Sequence, residues 1–264
     1  MTMVTIASAS HPGMRKKENE DYCAHFPPED GGVHRKGTLL ALADGMGGRV
    51  GGALASKLAV EVLMQEYYKD YFSPIPDALE QAFIRANEEV IAKGKTDTEL
   101  EGMATTLTAV VLKDDKMYYA HVGDSRAYII YGDSVSHFTE DHSYVASLVK
   151  AGAITEEAAL THPQANILMK AIGIDSELKI DLSEKHRNLK KNEYILLCCD
   201  GLYKEVPDEE ILGIVQKYPA PDVACKKLVE KANENGGDDN ITVMIVKIDK
   251  VNFASGIINR FKSL

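Results

Sequence analysis

Three apolar, strand-like runs in this chain stop at an aspartate: LLALAD at Asp44, YYAHVGD at Asp124 and YILLCCD at Asp200. A carboxylate at the mouth of a buried strand is costly unless it is paired or metal-bound. The repetition therefore favours folds that bring several strand ends to one place. Two further acidic clusters, NED at Asn19 to Asp21 and GGDDN at Gly236 to Asn240, flank other strand-like runs. For any single site, Asp-Gly as a plain turn signal is the better explanation. Five in one chain shift the balance toward a shared site.

Strands are predicted at 2–9, 22–26, 38–43, 105–112, 117–122, 126–131, 193–199 and 241–248, where apolar, β-branched or aromatic residues run together. Helical spacing appears in 52–68 (Leu54, Leu58, Val62) and in 77–93 (Leu79, Phe83, Ala86, Val90), with further helices expected at 144–151, 208–216 and 221–235. Many strands with few clean βαβ alternations argue for antiparallel sheets flanked by helices, an α+β fold. No Pro/Ser/Gly-rich linker divides the 264 residues, so one domain is expected.

The net charge of −10 argues against a nucleic-acid binder, which needs clustered Lys and Arg. No apolar run reaches the length of a membrane span, and no apolar leader precedes the four cysteines, Cys23, Cys198, Cys199 and Cys225, which form no CxxC pair. These features lead us to expect reduced core thiols in a soluble cytoplasmic protein. The lack of a long apolar surface repeat leads us to expect a monomer.

Oxygen donors without nearby His or Cys clusters point to a hard cation, Mg²⁺ or Mn²⁺, and away from zinc. No stretch has EF-hand spacing, and carboxylates from distant parts of the chain suit a two-metal hydrolytic site. Other phosphate chemistries fail: Gly47 and Gly52 have P-loop spacing, yet Ala53 and Leu54 follow where Lys and Ser/Thr are required. A cysteine phosphatase would carry Arg six residues after its Cys, but those positions are Glu29, Lys204, Glu205 and Lys231.

In order, the blocks NEDYCAHF, LLALADGMGG, GMATTLTAVVL, YYAHVGDSRAYII, FTEDHS, HPQANILMKAIG, ILLCCDGLY and GGDDNITVMIV resemble the metal-dependent protein serine/threonine phosphatases of the type 2C group, in a compact bacterial-type form. The resemblance runs over residues 3–248. It implies a four-layer α-β-β-α sandwich with two central antiparallel sheets, occupying residues 1–250 with a flap at 141–171. It also implies hydrolysis of phosphoserine and phosphothreonine by direct attack of a water bridging two metal ions. Asp21, Asp44, the Gly45 carbonyl, Asp200 and Asp239 match the family's metal ligands, Glu20 a group acting through water, and Asp124 the ligand of a third ion. The alternative for Asp124 is a hairpin turn in which it pairs with Arg126. Phosphorylated proteins, targets of a Ser/Thr kinase, are the implied partners.

The chain departs from the family pattern at two points. The phosphate-binding Arg usually stands five residues before the Asp of NED; that position is Lys16, with Arg15 beside it, and Arg15 is favoured because a guanidinium grips phosphate bidentately. Where members often carry a His near DGMGG, this chain has Met46 and Arg49, leaving His142, His162 or a water as candidate proton donors. Residues 251–264 lie beyond the resemblance and are expected to form a short docking helix. A small-phosphomonoester hydrolase and a catalytically silent phosphoprotein-binding regulator are the competing functions; retention of the metal aspartates favours activity.

Overall fold

Side chains along the strand Thr38–Met46 (β3) alternate between two different cores. Leu39, Ala41 and Ala43 pack toward helices, whereas Leu40 and Leu42 pack toward a second sheet. A strand buried on both faces reads as a continuous apolar run, which is why LLALA carries no polar alternation. The same holds for Tyr194–Cys198 (β11): Leu196 and Cys198 face helices, while Ile195, Leu197 and the following Cys199 face the opposite sheet.

The computed structural model describes residues 2–26, 36–46, 48–70 and 72–252. Numbered in chain order, its strands form two antiparallel sheets. One runs β1 (Met3–His11), β12 (Ile241–Lys250), β11, β7 (Arg126–Tyr131), β8 (Ser134–His137). The other runs β10 (Arg187–Asn188), β6 (Lys116–Val122), β5 (Leu107–Lys113), β3, β2 (Asp21–Phe26), with β4 (Ala104–Thr105) on the end of β3 and β9 (Asp181–Leu182) beside β6.

Helices α1 (Gly48–Lys69) and α2 (Ile75–Gly94) cover the second sheet, and α5 (Asp200–Tyr203), α6 (Asp208–Lys217) and α7 (Pro221–Asn235) cover the first. The result is the expected four-layer α-β-β-α sandwich. On α2, Leu79, Ala82, Phe83, Ala86 and Val90 form one buried stripe at helical spacing; each large side chain so buried stabilises by about 1.5–3 kcal/mol. Two short helices, α3 (Tyr144–Lys150) and α4 (Glu156–Leu160), lie in the segment read as a flap. Among the described residues no helix is long and apolar enough to cross a membrane. Most of the expected tail helix, from Phe253 onward, lies outside the described residues.

Antiparallel pairing sets where the acidic strand ends fall. Asp21 opens β2 and is the register partner of Asp44 near the end of β3, while β11 ends just before Asp200 and β12 starts just after Asp239 and Asn240. The two sheets are stitched together at this edge by Asn240, whose Oδ1 accepts the Glu20 N–H at 2.8 Å.

Candidate metal centre

The end of β3 is held rigidly. The Asp44 N–H donates to the Thr106 hydroxyl at 2.8 Å, and the Asp44 carbonyl accepts from the Thr106 N–H at 2.9 Å and the Thr105 hydroxyl at 2.8 Å. Gly45 follows, its N–H donating to the Glu20 carbonyl at 3.1 Å. A Cβ at Gly45 would lie 2.1 Å from the Gly52 carbonyl oxygen, and one at Gly52 would lie 2.4 Å from Oε1 of Glu20. Glycine at both positions is therefore a matter of space: the loop into α1 presses against Glu20.

Asp21 and Asp44 stand side by side with the thiol of Cys199, one donor atom of each lying within 4.8 Å of the others. Both carboxylate oxygens of Asp21 are closed off from solvent, and neither has a hydrogen-bond partner. Burial pushes the Asp21 carboxyl up to about 7; the Thr242 hydroxyl and Cys199 thiol oppose the rise without completing a hydrogen bond, and the charges of Asp200 and Asp239 add to it. Asp44 is driven well above the usual carboxylate range, first by burial and then by the charges of Asp21, Asp200, Asp124 and Asp239. Burial likewise pushes the Cys199 thiol up, with Asp21, Asp44 and Asp200 reinforcing it. Buried like charges of this density are a standing cost that a divalent cation would relieve.

Two lysines already offset part of that charge. Lys204 Nζ lies 2.6 Å from Oδ2 of Asp200, and Lys16 Nζ lies 2.7 Å from Oδ1 of Asp239. Arg15 reaches the same GGDDN segment one residue away: its side chain is 71% exposed and pairs with Asp238 at 2.9 Å. Lys16, at 44% exposure, is the cation of the MRKK run that meets the aspartate cluster. Burial pushes Glu20 up, opposed by the charge of Lys16.

Asp124 is buried in the turn between β6 and β7. Its carboxyl is raised to about 7, by burial first and then by the charge of Asp200, against the pull of Lys204. The alternative pairing with Arg126 does not occur. Arg126 instead grips Asp141, with Nε 3.1 Å from Oδ1 and an Nη 2.8 Å from Oδ2, and its guanidinium lies 3.8 Å from the centre of the Tyr203 ring.

His142 is buried and fully engaged. Its Nδ1 accepts the Gly123 N–H at 3.1 Å, and its Nε2 faces Asp181 at 3.1 Å. It anchors the start of residues 141–171 to the loop that carries Asp124. His162 is half-buried beside the Tyr144 ring, its Nδ1 accepting from the Gln164 N–H. Gly47 and the side chain of Arg49 lie outside the described residues.

Lys204 and the bonding role of Asn240 do not stand out in the sequence. Lys204 stands four residues after Asp200, within reach once Asp200 opens a helix, and it also donates to Oδ1 of Asn166 in the 141–171 segment at 2.8 Å. Asn240 feeds three bonds into the NED segment and its approach: it accepts from Glu20 N–H and donates to the carbonyls of Pro12 and Glu18. Only the DN pair hinted at it. The remaining donor set, carboxylates and a glycine carbonyl, suits hard divalent cations, and the orphaned oxygens of Asp21 are the donors such a cation would engage.

Residues 14–235 match the family model of protein phosphatase 2C. A protein phosphatase 2C-type relative from Streptococcus pyogenes is 37% identical over 238 residues, covering 89% of this chain and 93% of its own length. The serine/threonine phosphatase PstP/Ppp of Mycobacterium tuberculosis superimposes with a TM-score of 0.82 at 33% identity, covering 93% of this chain and 99% of that one. The catalytic domain of PstP in complex with two manganese ions superimposes with a TM-score of 0.80 at 31% identity, over 94% of this chain and 99% of that one. Matched across most of its length by family model, sequence relatives and solved folds, the chain belongs to the protein phosphatase 2C family.

Proposed function

We propose that this protein is a metal-dependent protein phosphatase acting on phosphoserine and phosphothreonine, with Asp21, Asp44, the Gly45 carbonyl, Asp200 and Asp239 holding two divalent cations, Mn²⁺ or Mg²⁺. The observation that carries it is the convergence of carboxylates from β2, β3, α5 and the approach to β12, with Asp21 and Asp44 closed in and repelled by their neighbours and both Asp21 oxygens without a hydrogen-bond partner. When bound, the cations supply the charge that activates an attacking water and screens the phosphoryl oxygens. The two manganese ions of the PstP complex support this use of the fold.

The chain's own groups do the rest. Lys16, already at the cluster, meets the phosphoryl group as a point charge, with Arg15 next to it to hold the outer oxygens or the flanking phosphoprotein. Glu20 orients water at the edge of the site, and Asp124 takes a third ion. Residues 141–171 act as a flap, tied to the site by the bond from Lys204 to Asn166 and by His142 on Gly123. The domain spans 1–250, and the protein works in signalling opposite a Ser/Thr kinase.

Hydrolysis of a phosphopeptide and of an aryl phosphate in Mn²⁺, lost in excess chelator, is the expected behaviour. Asp44→Asn and Asp239→Asn should each lower kcat/KM by more than about 100-fold while the circular dichroism spectrum is kept, since even outer partners of metal ligands cost about 10–100-fold. Turnover in chelator, or near wild-type rates in both variants, would refute the assignment. A substrate panel in which only small metabolite phosphates turn over would move the activity to the small-phosphomonoester class.

A further inference from the structure

One side chain in the cluster is chemically out of keeping with an oxygen-only site. Cys199 is wholly buried, and its sulfur lies with the carboxylates of Asp21 and Asp44 inside a 4.8 Å group. The sulfur is fixed in place: it accepts the Thr242 N–H at 3.0 Å, its thiol donates to the Asn240 carbonyl at 3.2 Å, and the Cys199 N–H donates to the Thr242 carbonyl at 3.2 Å. Beside it, both Asp21 oxygens are sealed from solvent and lack any hydrogen-bond partner.

We propose that Asp21, Asp44 and Cys199 form a site for a thiophilic divalent cation of the zinc or cadmium class, which shares two aspartates with the hard-metal centre and so excludes Mn²⁺ or Mg²⁺ when filled. The exclusion rests on the functional reading above; the three-residue site does not. Sulfur selects soft and borderline cations over Mg²⁺ and Mn²⁺, whereas the carboxylates serve either kind. Zinc bonds of about 2.3 Å to sulfur and 2.0–2.2 Å to oxygen hold S and O about 3.6 Å apart in a tetrahedron. Donor atoms already within 4.8 Å need to close by only about an ångström. On binding, the thiol proton passes to solvent and the sulfur coordinates as thiolate. The Thr242 N–H remains as its donor, the kind of supporting bond that orients metal-bound sulfur. Two carboxylates and a thiolate leave a net charge of −1 around the cation, while Lys204 and Lys16 balance the neighbouring Asp200 and Asp239.

The test uses the reduced, metal-stripped full-length chain, with Co²⁺ as an optical stand-in for zinc. A near-ultraviolet thiolate-to-cobalt band should grow to saturation, collapse on addition of Zn²⁺, vanish in Cys199→Ser and persist in Cys23→Ser. Asp21→Asn should weaken Co²⁺ binding at least about tenfold. X-ray absorption of the zinc-loaded wild type, which needs no variant to fold, should show one sulfur at about 2.3 Å. Mn²⁺ binding is followed in parallel by electron paramagnetic resonance. Mn²⁺ binding without a cobalt band, or a zinc shell of oxygen and nitrogen only, would overturn the thiolate site and leave the phosphatase reading intact. A band retained in Cys199→Ser would likewise overturn it. Failure to bind either Mn²⁺ or Co²⁺ would overturn both.

Discussion

Asp21→Asn separates the stability of the site from its use. In the metal-free protein the Asp21 carboxyl stands at about 7, because burial disfavours its charge and Asp200 and Asp239 repel it; in the unfolded chain it returns to about 3.9. A carboxyl raised on folding binds more protons in the native state, so its stabilising share is present in acid and is lost as pH climbs from about 3.9 through about 7. Between pH 5 and pH 8.5 the loss amounts to about 2 pKa units, or on the order of 2–3 kcal/mol. Asparagine does not titrate and escapes it. The constant difference between an amide and an acid in this pocket cancels when the two pH values are compared.

In chelator, then, the melting temperature of Asp21→Asn relative to wild type should rise by roughly 5–10 °C between pH 5 and pH 8.5, at about 2–4 °C per kcal/mol for a chain of this size. Relief of Asp44, which Asp21 also pushes upward, acts in the same direction. In Mn²⁺ the order reverses: wild type gains about 2.7 kcal/mol at a hundredfold excess over Kd, and the variant gains much less. Differential scanning calorimetry reads both arms. A wild-type-minus-variant difference that is independent of pH in chelator would refute the claim that Asp21 is a buried, repelled carboxylate.

Two further substitutions probe how the site is held. Asn240→Ala removes the bonds to Glu20, Pro12 and Glu18; it should cost about 2–4 kcal/mol in urea unfolding and weaken Mn²⁺ binding about 10–100-fold, and wild-type values for both would contradict its stitching role. Arg126→Ala strands Asp141 in a largely buried setting and should cost about 3–5 kcal/mol, with Arg126→Lys recovering only part because a point charge cannot span both oxygens. A loss below about 0.5 kcal/mol in Arg126→Ala would show the pair to be dispensable.

What could be read in the sequence follows from the range of the forces involved. β3 and β11 were legible because burial on both faces writes a continuous apolar run, and α2 because one buried stripe writes helical spacing. β8, β9 and β10 were missed: SVSH, DL and RN are short edge pieces whose pairing is fixed by neighbours rather than by their own residues. α5 was hidden behind the Asp-Gly turn signal, since four residues of helix leave no periodicity, and Lys204 was hidden with it. The aspartates could be found because each stands at or beside one end of a strand-like run. Asn240 and Thr106, which hold them in place, act across 220 and 62 residues of chain, and nothing local marks such partners.

The arrangement of charge explains why this edge of the sandwich is left frustrated. Asp21, Asp44, Asp124, Asp200 and Asp239 meet two lysines, Lys16 and Lys204, so full ionisation leaves a deficit of three positive charges. Protons fill part of that deficit in the metal-free chain, which is the meaning of the raised Asp21, Asp44 and Asp124 carboxyls. Divalent cations fill it with more charge in less space. Protons and metals therefore compete for the same oxygens, and metal binding must expel protons. A third lysine in place of one aspartate would cut that deficit from three to one and remove a donor from any cation. The rigid backbone at Asp44, locked by Thr105 and Thr106, and the unpartnered oxygens of Asp21 make sense together: the scaffold spends stability to keep donors in place without letting them find partners of their own.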